Sequence, residues 1–197
     1  GFKYIGEKIR QFENKEIDGT YILGFEESYG YLIGTHARDK DAIVSSLLIA
    51  EMAAFYNSKG TSIYKELQKL YQEFGYYVEG IKSVTLTGKD GIEKMANLMT
   101  ELRETVKDRT IDKNIKIKRD FKTKKELIVA TGEEKDILLP VENVIQFVLE
   151  DDTYITARPS GTEPKIKFYF SVNAPTKEEV EKKLNETMEK FVATLKL

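Results

Sequence analysis

The sequence predicts an α/β segment followed by an antiparallel α+β domain. Three observations carry that prediction. The first part of the chain sets apolar residues at helical spacing around one short, glycine-bounded apolar run, in the order helix, strand, loop, helix, helix. Towards the end, apolar residues alternate with period two in runs joined by short turns. A capped amphipathic helix then closes the chain. The expected division is 1–74 for the first domain, 75–90 for a linker and 91–197 for the second domain.

Phe2, Ile5, Ile9 and Phe12 place an amphipathic helix over GFKYIGEKIRQF. Asp18-Gly19 is a turn, and Tyr21 to Phe25 reads as a short buried strand. A polar loop is expected from Glu26 to Gly30, continuing through Gly34 to Asp41. Asp41 caps the next helix, whose wide apolar face holds Ile43, Leu47, Ala50 and Ala54 with Val44, Leu48 and Phe55. That helix ends at Lys59-Gly60, and Ser62 caps another carrying Ile63, Leu67, Leu70, Tyr71 and Phe74 up to Gly75.

Tyr76–Val78 and Val84–Leu86 are extended segments assigned to the linker. A polar helix is expected over 91–107, with Ile92, Met95, Leu98, Met99 and Leu102 inward. Ile115, Ile117 and Phe121 alternate with lysines, and Val144 to Leu149 is a nearly continuous apolar strand. Asp151-Asp152 turns the chain into Tyr154-Ile155-Thr156. Thr176 and Glu179 form a capping box for the last helix, which lines up Val180, Leu184, Met188, Phe191 and Leu195.

Composition narrows the function classes. The net charge of −2 gives no sign of nucleic acid or an anionic membrane as the main partner. The absence of cysteine removes disulfides, thiolate catalysis and zinc–thiolate sites, and is compatible with a reducing cytoplasm. The most apolar stretch, 42–56, is too short and too polar to span a bilayer, and no secretory signal is visible. The lysine-rich run 122–125 reads as solvated surface.

Two stretches carry chemistry. In RPSGTEPKIKFYF, residues 158–170, a strand enters a tight loop and a second strand leaves it. Arg158 supplies a fork of donors, Ser160 and Thr162 supply hydroxyls, Gly161 leaves backbone amides bare, and Lys165 and Lys167 follow. An anion with several oxygens needs such a set. By composition alone the stretch reads first as a β-hairpin turn with Pro and Gly as turn residues and a surface arginine. The second stretch, residues 26–41, gathers Glu26, Glu27, Ser28, His36, Arg38 and Lys40 after a strand end. Sugar hydroxyls both give and take hydrogen bonds, so acceptors and donors placed together suit them. Solvated glutamates, a capping serine and a structural histidine are the alternative.

RPSGTEPKIKFYF resembles the phosphate-binding loop of the α-D-phosphohexomutases, the phosphoglucomutase/phosphomannomutase family, whose pattern is Arg-x-Ser-(Gly or Asn)-Thr. GFEESYG, residues 24–30, resembles the family's sugar-binding loop, Gly-Glu-x-Ser-(Gly or aromatic), with Phe25 displacing the leading glycine. HARDKDA, residues 36–42, is similar to the family's His-x-Arg-x-Lys-Asp-Gly stretch, with Ala42 for the glycine. GFKYIGEKI also resembles a stretch of the family's third domain.

The resemblance implies the end of a third α/β domain followed by a fourth, antiparallel-sheet (TBP-like) α+β domain. It implies a cytoplasmic isomerase of the intramolecular phosphotransferase type, interconverting hexose 1-phosphate and hexose 6-phosphate through a bisphosphorylated sugar. Arg158, Ser160, Gly161, Thr162 and Lys165 would hold the non-transferring phosphate. Glu26, Ser28 and Arg38 would bind the sugar. Lys40 would be the catalytic candidate and His36 a weaker one. The family's phosphoserine motif and aspartate-rich Mg²⁺ loop do not occur here. The expectation is therefore a fragment lacking the parent's N-terminal domains and inactive alone, with Mg²⁺ and a glucose 1,6-bisphosphate-type activator belonging to the parent. A phosphopentomutase-type parent and a non-catalytic phosphosugar- or anion-binding module are the alternatives.

Overall fold

The computed structural model describes residues 1–26, 29–87, 90–104 and 114–195. The chain forms two compact units, Gly1–Lys69 and Leu70–Leu197. The division falls inside a helix, five residues before the expected end of the first domain at 74.

In the first unit, α1 (Lys3–Glu13) leads into a two-stranded antiparallel hairpin, β1 (Leu23–Glu26) and β2 (Gly30–Ile33). The sequence reading placed β2 in the loop. Its four residues carry only Leu32 as a buried apolar side chain, so no alternation was long enough to announce a strand. A small core joins Phe2 and Ile9 of the α1 region to Leu32, with Ile5, Tyr21 and Ala37 against it.

Helices α2 (Ala42–Ser58) and α3 (Ile63–Phe74) follow. Asp41 caps α2 as expected, accepting from the amides of Ile43 and Val44 at 2.9 and 3.1 Å. The apolar face read from the sequence is exposed in this unit: Ile43 is 85%, Leu47 67% and Phe55 55% accessible, and only Ser45 of α2 is buried. A helix apolar on every side suits the interior of a larger body.

The second unit is a seven-stranded antiparallel sheet in the order β3-β9-β8-β7-β4-β5-β6. Its strands are β3 (Tyr76–Thr85), β4 (Ile115–Asp120), β5 (Lys125–Ile128), β6 (Glu133–Asp136), β7 (Ile145–Leu149), β8 (Tyr154–Pro159) and β9 (Lys165–Ala174). Residues 75–90 are therefore not a linker. Tyr76 to Thr85 pairs with β9 over its whole length, from Tyr76↔Ala174 to Thr85↔Lys165. As an edge strand, β3 carries Gly80, Lys82 and Ser83, which disguise its alternation. Strands β5 and β6 were also unforeseen, because β6 is exposed at all four positions.

Helices α4 (Gly91–Glu104) and α5 (Lys177–Thr194) cover one face of the sheet. Ile155, Ala157, Ile166, Phe168 and Phe170 point to that face and cluster with Leu98, Met99 and Leu102 of α4 and Phe191 of α5. Phe191 meets Phe168 and Phe170 edge-on, with centroids 5.3 and 5.7 Å away. Each such side chain contributes about 1.5–3 kcal/mol by leaving water. Ile92, expected inward, is 69% exposed, because it sits at the start of α4 beyond the sheet core. The expected end of this helix at 107 lies outside the described residues. The capping box on α5 forms, with the Glu179 amide donating to Thr176 Oγ1 at 3.2 Å and the Thr176 hydroxyl donating to Glu179 Oε2 at 3.0 Å.

The first turn of α4 is pressed onto the 160–164 loop. The Leu86 amide donates to the Pro164 carbonyl at 2.8 Å. A Cβ on Gly91 would stand 2.2 Å from the Leu86 carbonyl oxygen and 3.0 Å from Pro164 Cβ. Glycine is thus required by close approach. Gly91→Ala is expected to cost the second unit about 1–3 kcal/mol by forcing α4 off this contact. Denaturant unfolding of the variant against the parent chain measures it.

Candidate functional site

The first cluster is built on the β1–β2 hairpin. Glu26 pairs directly with Gly30 across the two strands. A Cβ on Gly30 would lie 2.5 Å from Lys40 Cδ and 2.8 Å from Glu26 Cγ, so both side chains pack over a bare backbone. Lys40 Nζ stands 3.8 Å from Glu26 Oε1, 2.9 Å from Asp39 Oδ1, and 5.2 Å from the centre of the Phe2 ring. The amide of Asp41 donates to the Tyr31 carbonyl at 2.9 Å and ties this loop back to the hairpin. The hydrogen-bonded carboxylate of Asp39, with Glu26 adding its charge, holds the Lys40 pKa above the usual lysine value. Lys40 is therefore an ammonium at neutral pH, fitted to donate hydrogen bonds and offset negative charge.

The neighbouring candidates have other partners. His36 Nε2 lies 2.8 Å from Asp41 Oδ2, on the carboxylate that caps α2. Arg38 pairs with Glu13 of α1 and donates to the carbonyls of Thr35 and Ala37 at 2.8 and 3.1 Å. The structure thus brings Glu26 and Lys40 together and engages His36 and Arg38 elsewhere. Ser28 lies outside the described residues.

The second cluster is built on β8 and β9. Their register sets Arg158 opposite Lys167 and Pro159 opposite Ile166. The Ser160 amide donates to the Lys165 carbonyl at 2.7 Å and closes the loop. Ser160 Oγ accepts long bonds from the amides of Thr162 and Glu163, at 3.4 and 3.3 Å. Bonds of that length are weak, and an oxyanion can replace the hydroxyl as their acceptor. At Gly161 a Cβ would meet no heavy atom within 4 Å, so the loop is open on that side.

Arg158 and Lys167 are both exposed, and like charges directly opposite each other are unfavourable. Among the described residues Arg10, Arg38, Arg103 and Arg119 each have an acidic partner, whereas Arg158 has none. Lys165 stands opposite Thr85, and Lys167 has Ser83 on its other side. The sequence counted Lys167 among the donors of this stretch but gave it no phosphate contact of its own. The signal for it is positional, because counting outward from the loop in an antiparallel hairpin places it across from Arg158.

Residues 1–74 match the sequence profile described as phosphoglucomutase/phosphomannomutase, alpha/beta/alpha domain III. The chain is 34% identical over 180 residues to a phosphoglucomutase of Staphylococcus haemolyticus, covering 91% of this chain and 32% of that protein. It is 36% identical over 185 residues to a phosphoglucomutase of Staphylococcus aureus, covering 94% of this chain and 33% of that protein. The chain belongs to the phosphoglucomutase/phosphomannomutase family. It spans about a third of the length of these relatives.

The fold is shared with the open form of parafusin, an exocytosis-sensitive phosphoprotein and phosphoglucomutase of Paramecium. That match has a TM-score of 0.58 at 19% identity and covers 98% of this chain and 32% of parafusin. The domain III match contains the whole Glu26–Lys40 cluster, while the Arg158 loop lies in the antiparallel unit that follows. No helix among the described residues is long and apolar enough to cross a membrane.

The Asp41 cap should make α2 sensitive to acid. The hydrogen bond with His36, followed by that from the Val44 amide, lowers the Asp41 pKa below its usual value. A depressed folded-state pKa stabilises above the unfolded pKa and is lost as pH falls through the folded one. Helical melting followed by circular dichroism should therefore drop between neutral pH and pH values below about 4. Asp41→Asn, which keeps a cap without the charge, should show a smaller drop. An equal drop in both proteins would assign the acid sensitivity to other carboxylates.

Proposed function

We propose that this chain is the sugar- and phosphate-holding part of a phosphohexomutase that interconverts hexose 1-phosphate and hexose 6-phosphate through a bisphosphorylated sugar. The observation that carries the reading is the Arg158–Lys167 couple, without an acidic partner among the described residues, at the base of the loop that holds the amides of Thr162 and Glu163, in a chain whose relatives are phosphoglucomutases. In this reading Arg158, Lys167, Ser160 and Thr162 grip the phosphate that is not being transferred, with Gly161 leaving room and Lys165 adding charge. Charge-assisted bonds from a guanidinium, an ammonium and backbone amides suit a dianion.

Glu26 accepts from sugar hydroxyls, and the ammonium of Lys40 donates to them or offsets charge on the moving phosphoryl group. Because the substrate must present either end in turn, the anchor grips phosphate and leaves sugar recognition to Glu26 and Lys40. Phosphoryl transfer also requires cation neutralisation and in-line positioning. The roles proposed for the residues of this chain involve no metal ion. Mg²⁺, the phosphorylated serine and the response to a sugar bisphosphate activator are assigned to the rest of the parent, and the chain alone is expected to turn over no substrate.

Calorimetric titration tests the reading with inorganic phosphate and glucose 1-phosphate. Arg158→Ala is expected to weaken both ligands by about 2–3 kcal/mol, the size of a lost charge-assisted contact, with the fold intact. Unchanged affinity for both would remove the phosphate anchor. Glu26→Gln is expected to weaken glucose 1-phosphate and leave inorganic phosphate untouched. Equal losses for the two ligands would remove its sugar role.

A further inference from the structure

The sheet of the second unit ends on two unlike edges. At one, β6 presents Glu133, Glu134, Lys135 and Asp136, four exposed charged residues that discourage pairing with another chain. At the other lies β3, ten residues long, without a proline and with only Glu79 and Lys82 charged. Tyr77 and Ile81 on it are 59% and 60% exposed. Among the described residues no strand pairs with its outer edge.

The register decides which backbone groups that edge offers. The Leu86 amide donates to the Pro164 carbonyl, one step beyond the Thr85↔Lys165 pair. Along an antiparallel strand, residues that bond to the neighbour alternate with residues that do not. The even-numbered residues of β3 therefore bond to β9. Tyr77, Glu79, Ile81, Ser83 and Thr85 turn their amides and carbonyls outward. Lys165 agrees, because its carbonyl accepts from the Ser160 amide and so faces away from Thr85. Such a row of free donors and acceptors is a template for one more extended strand.

We propose that the outer edge of β3 pairs antiparallel with the same edge of a second copy of this chain, about a twofold axis at Ile81. The inference goes beyond the proposed function and does not depend on it. The edge is complementary to itself. Ile81 is the midpoint of the five outward-facing residues, so a centre there pairs all of them with one another. Ile81 meets Ile81 of the second copy, Glu79 meets Ser83, and Tyr77 meets Thr85. Between them Val78 meets Val84 and Gly80 meets Lys82. No like charges stand opposite each other, and apolar pairs lie on both faces. Centres at Glu79 or Lys82 would set two like charges face to face, and a centre at Gly80 would leave Thr85 unpaired. The result is one sheet continuous across two copies, an isologous interface.

Sedimentation of the full chain tests this first. The mass is expected to rise from 22.6 kDa towards twice that value between micromolar and millimolar concentration. Ile81→Pro removes an outward amide and none that bonds to β9. It should remain at the monomer mass with an unchanged circular dichroism spectrum. Cysteine variants test the register without disturbing the strand, because the chain has no cysteine of its own. In the proposed pairing the two Ile81 Cα atoms are about 5.5 Å apart, within reach of a disulfide. Ile81→Cys should therefore form a covalent dimer on mild oxidation. Ser83→Cys should not, since the two positions are offset by about 13 Å along the strands.

A chain that stays monomeric at millimolar concentration overturns the inference. So does an Ile81→Pro variant that dimerises as well as the unaltered chain, which would move the contact to another surface such as the exposed face of α2. Cross-linking at Ser83 as fast as at Ile81 overturns the register and the inference with it. Each of these results leaves the proposed phosphate and sugar roles standing.

Discussion

The register of β8 on β9 is the constraint on which the second unit depends. The alternation that sends Ile155, Ala157, Ile166 and Phe168 under α4 and α5 also sends Arg158 and Lys167 to the opposite face, side by side. A slip of one residue would expose the phenylalanines and bury the cations, so the packed core holds two like charges together. The sheet is continuous on both sides of this pair. Strand β3 is zipped along β9, and β7 and β4 lie beyond β8. Farther along the open face Arg119 reaches Gln146 at 2.9 Å, and Gln146 reaches Thr156 at 3.0 Å. There Arg119 has both the Glu126 carboxylate and the Gln146 amide as partners, unlike Arg158 at the loop end.

The first unit solves a smaller problem with fewer residues. A hairpin of two four-residue strands cannot bury much, so it relies on the absence of a side chain at Gly30 to let Glu26 and Lys40 lie against the backbone. The hydrogen bond from Asp41 to Tyr31 then fixes the loop that carries Lys40. The exposed, all-round apolar surface of α2 matches a chain spanning about a third of its relatives and described by an alpha/beta/alpha domain profile.

Local chemistry was legible in the sequence, whereas long-range pairing was not. The caps at Asp41 and Thr176 are decided within four residues and were read correctly. So was the strand, loop and strand at 158–170, whose signals are contiguous. Strand β3 escaped because an edge strand with Gly80, Lys82 and Ser83 makes sense only beside β9, some ninety residues on. Within the site, Arg158, Ser160 and Thr162 form one word of sequence, but Lys167 gains its meaning from register. His36 and Arg38 show the converse. They are close to Lys40 along the chain, yet a cap and a helix glutamate claim them.

The central claim is that one loop grips phosphate and a separate cluster reads the sugar. Backbone amide NMR of the chain, titrated in parallel with inorganic phosphate and glucose 1-phosphate, tests it most directly. Both ligands should shift the amides of Ser160, Thr162 and Glu163, and glucose 1-phosphate alone should also shift those of Glu26, Gly30 and Lys40. Unmoved amides at 160–163 with both ligands at saturating concentration would contradict the account.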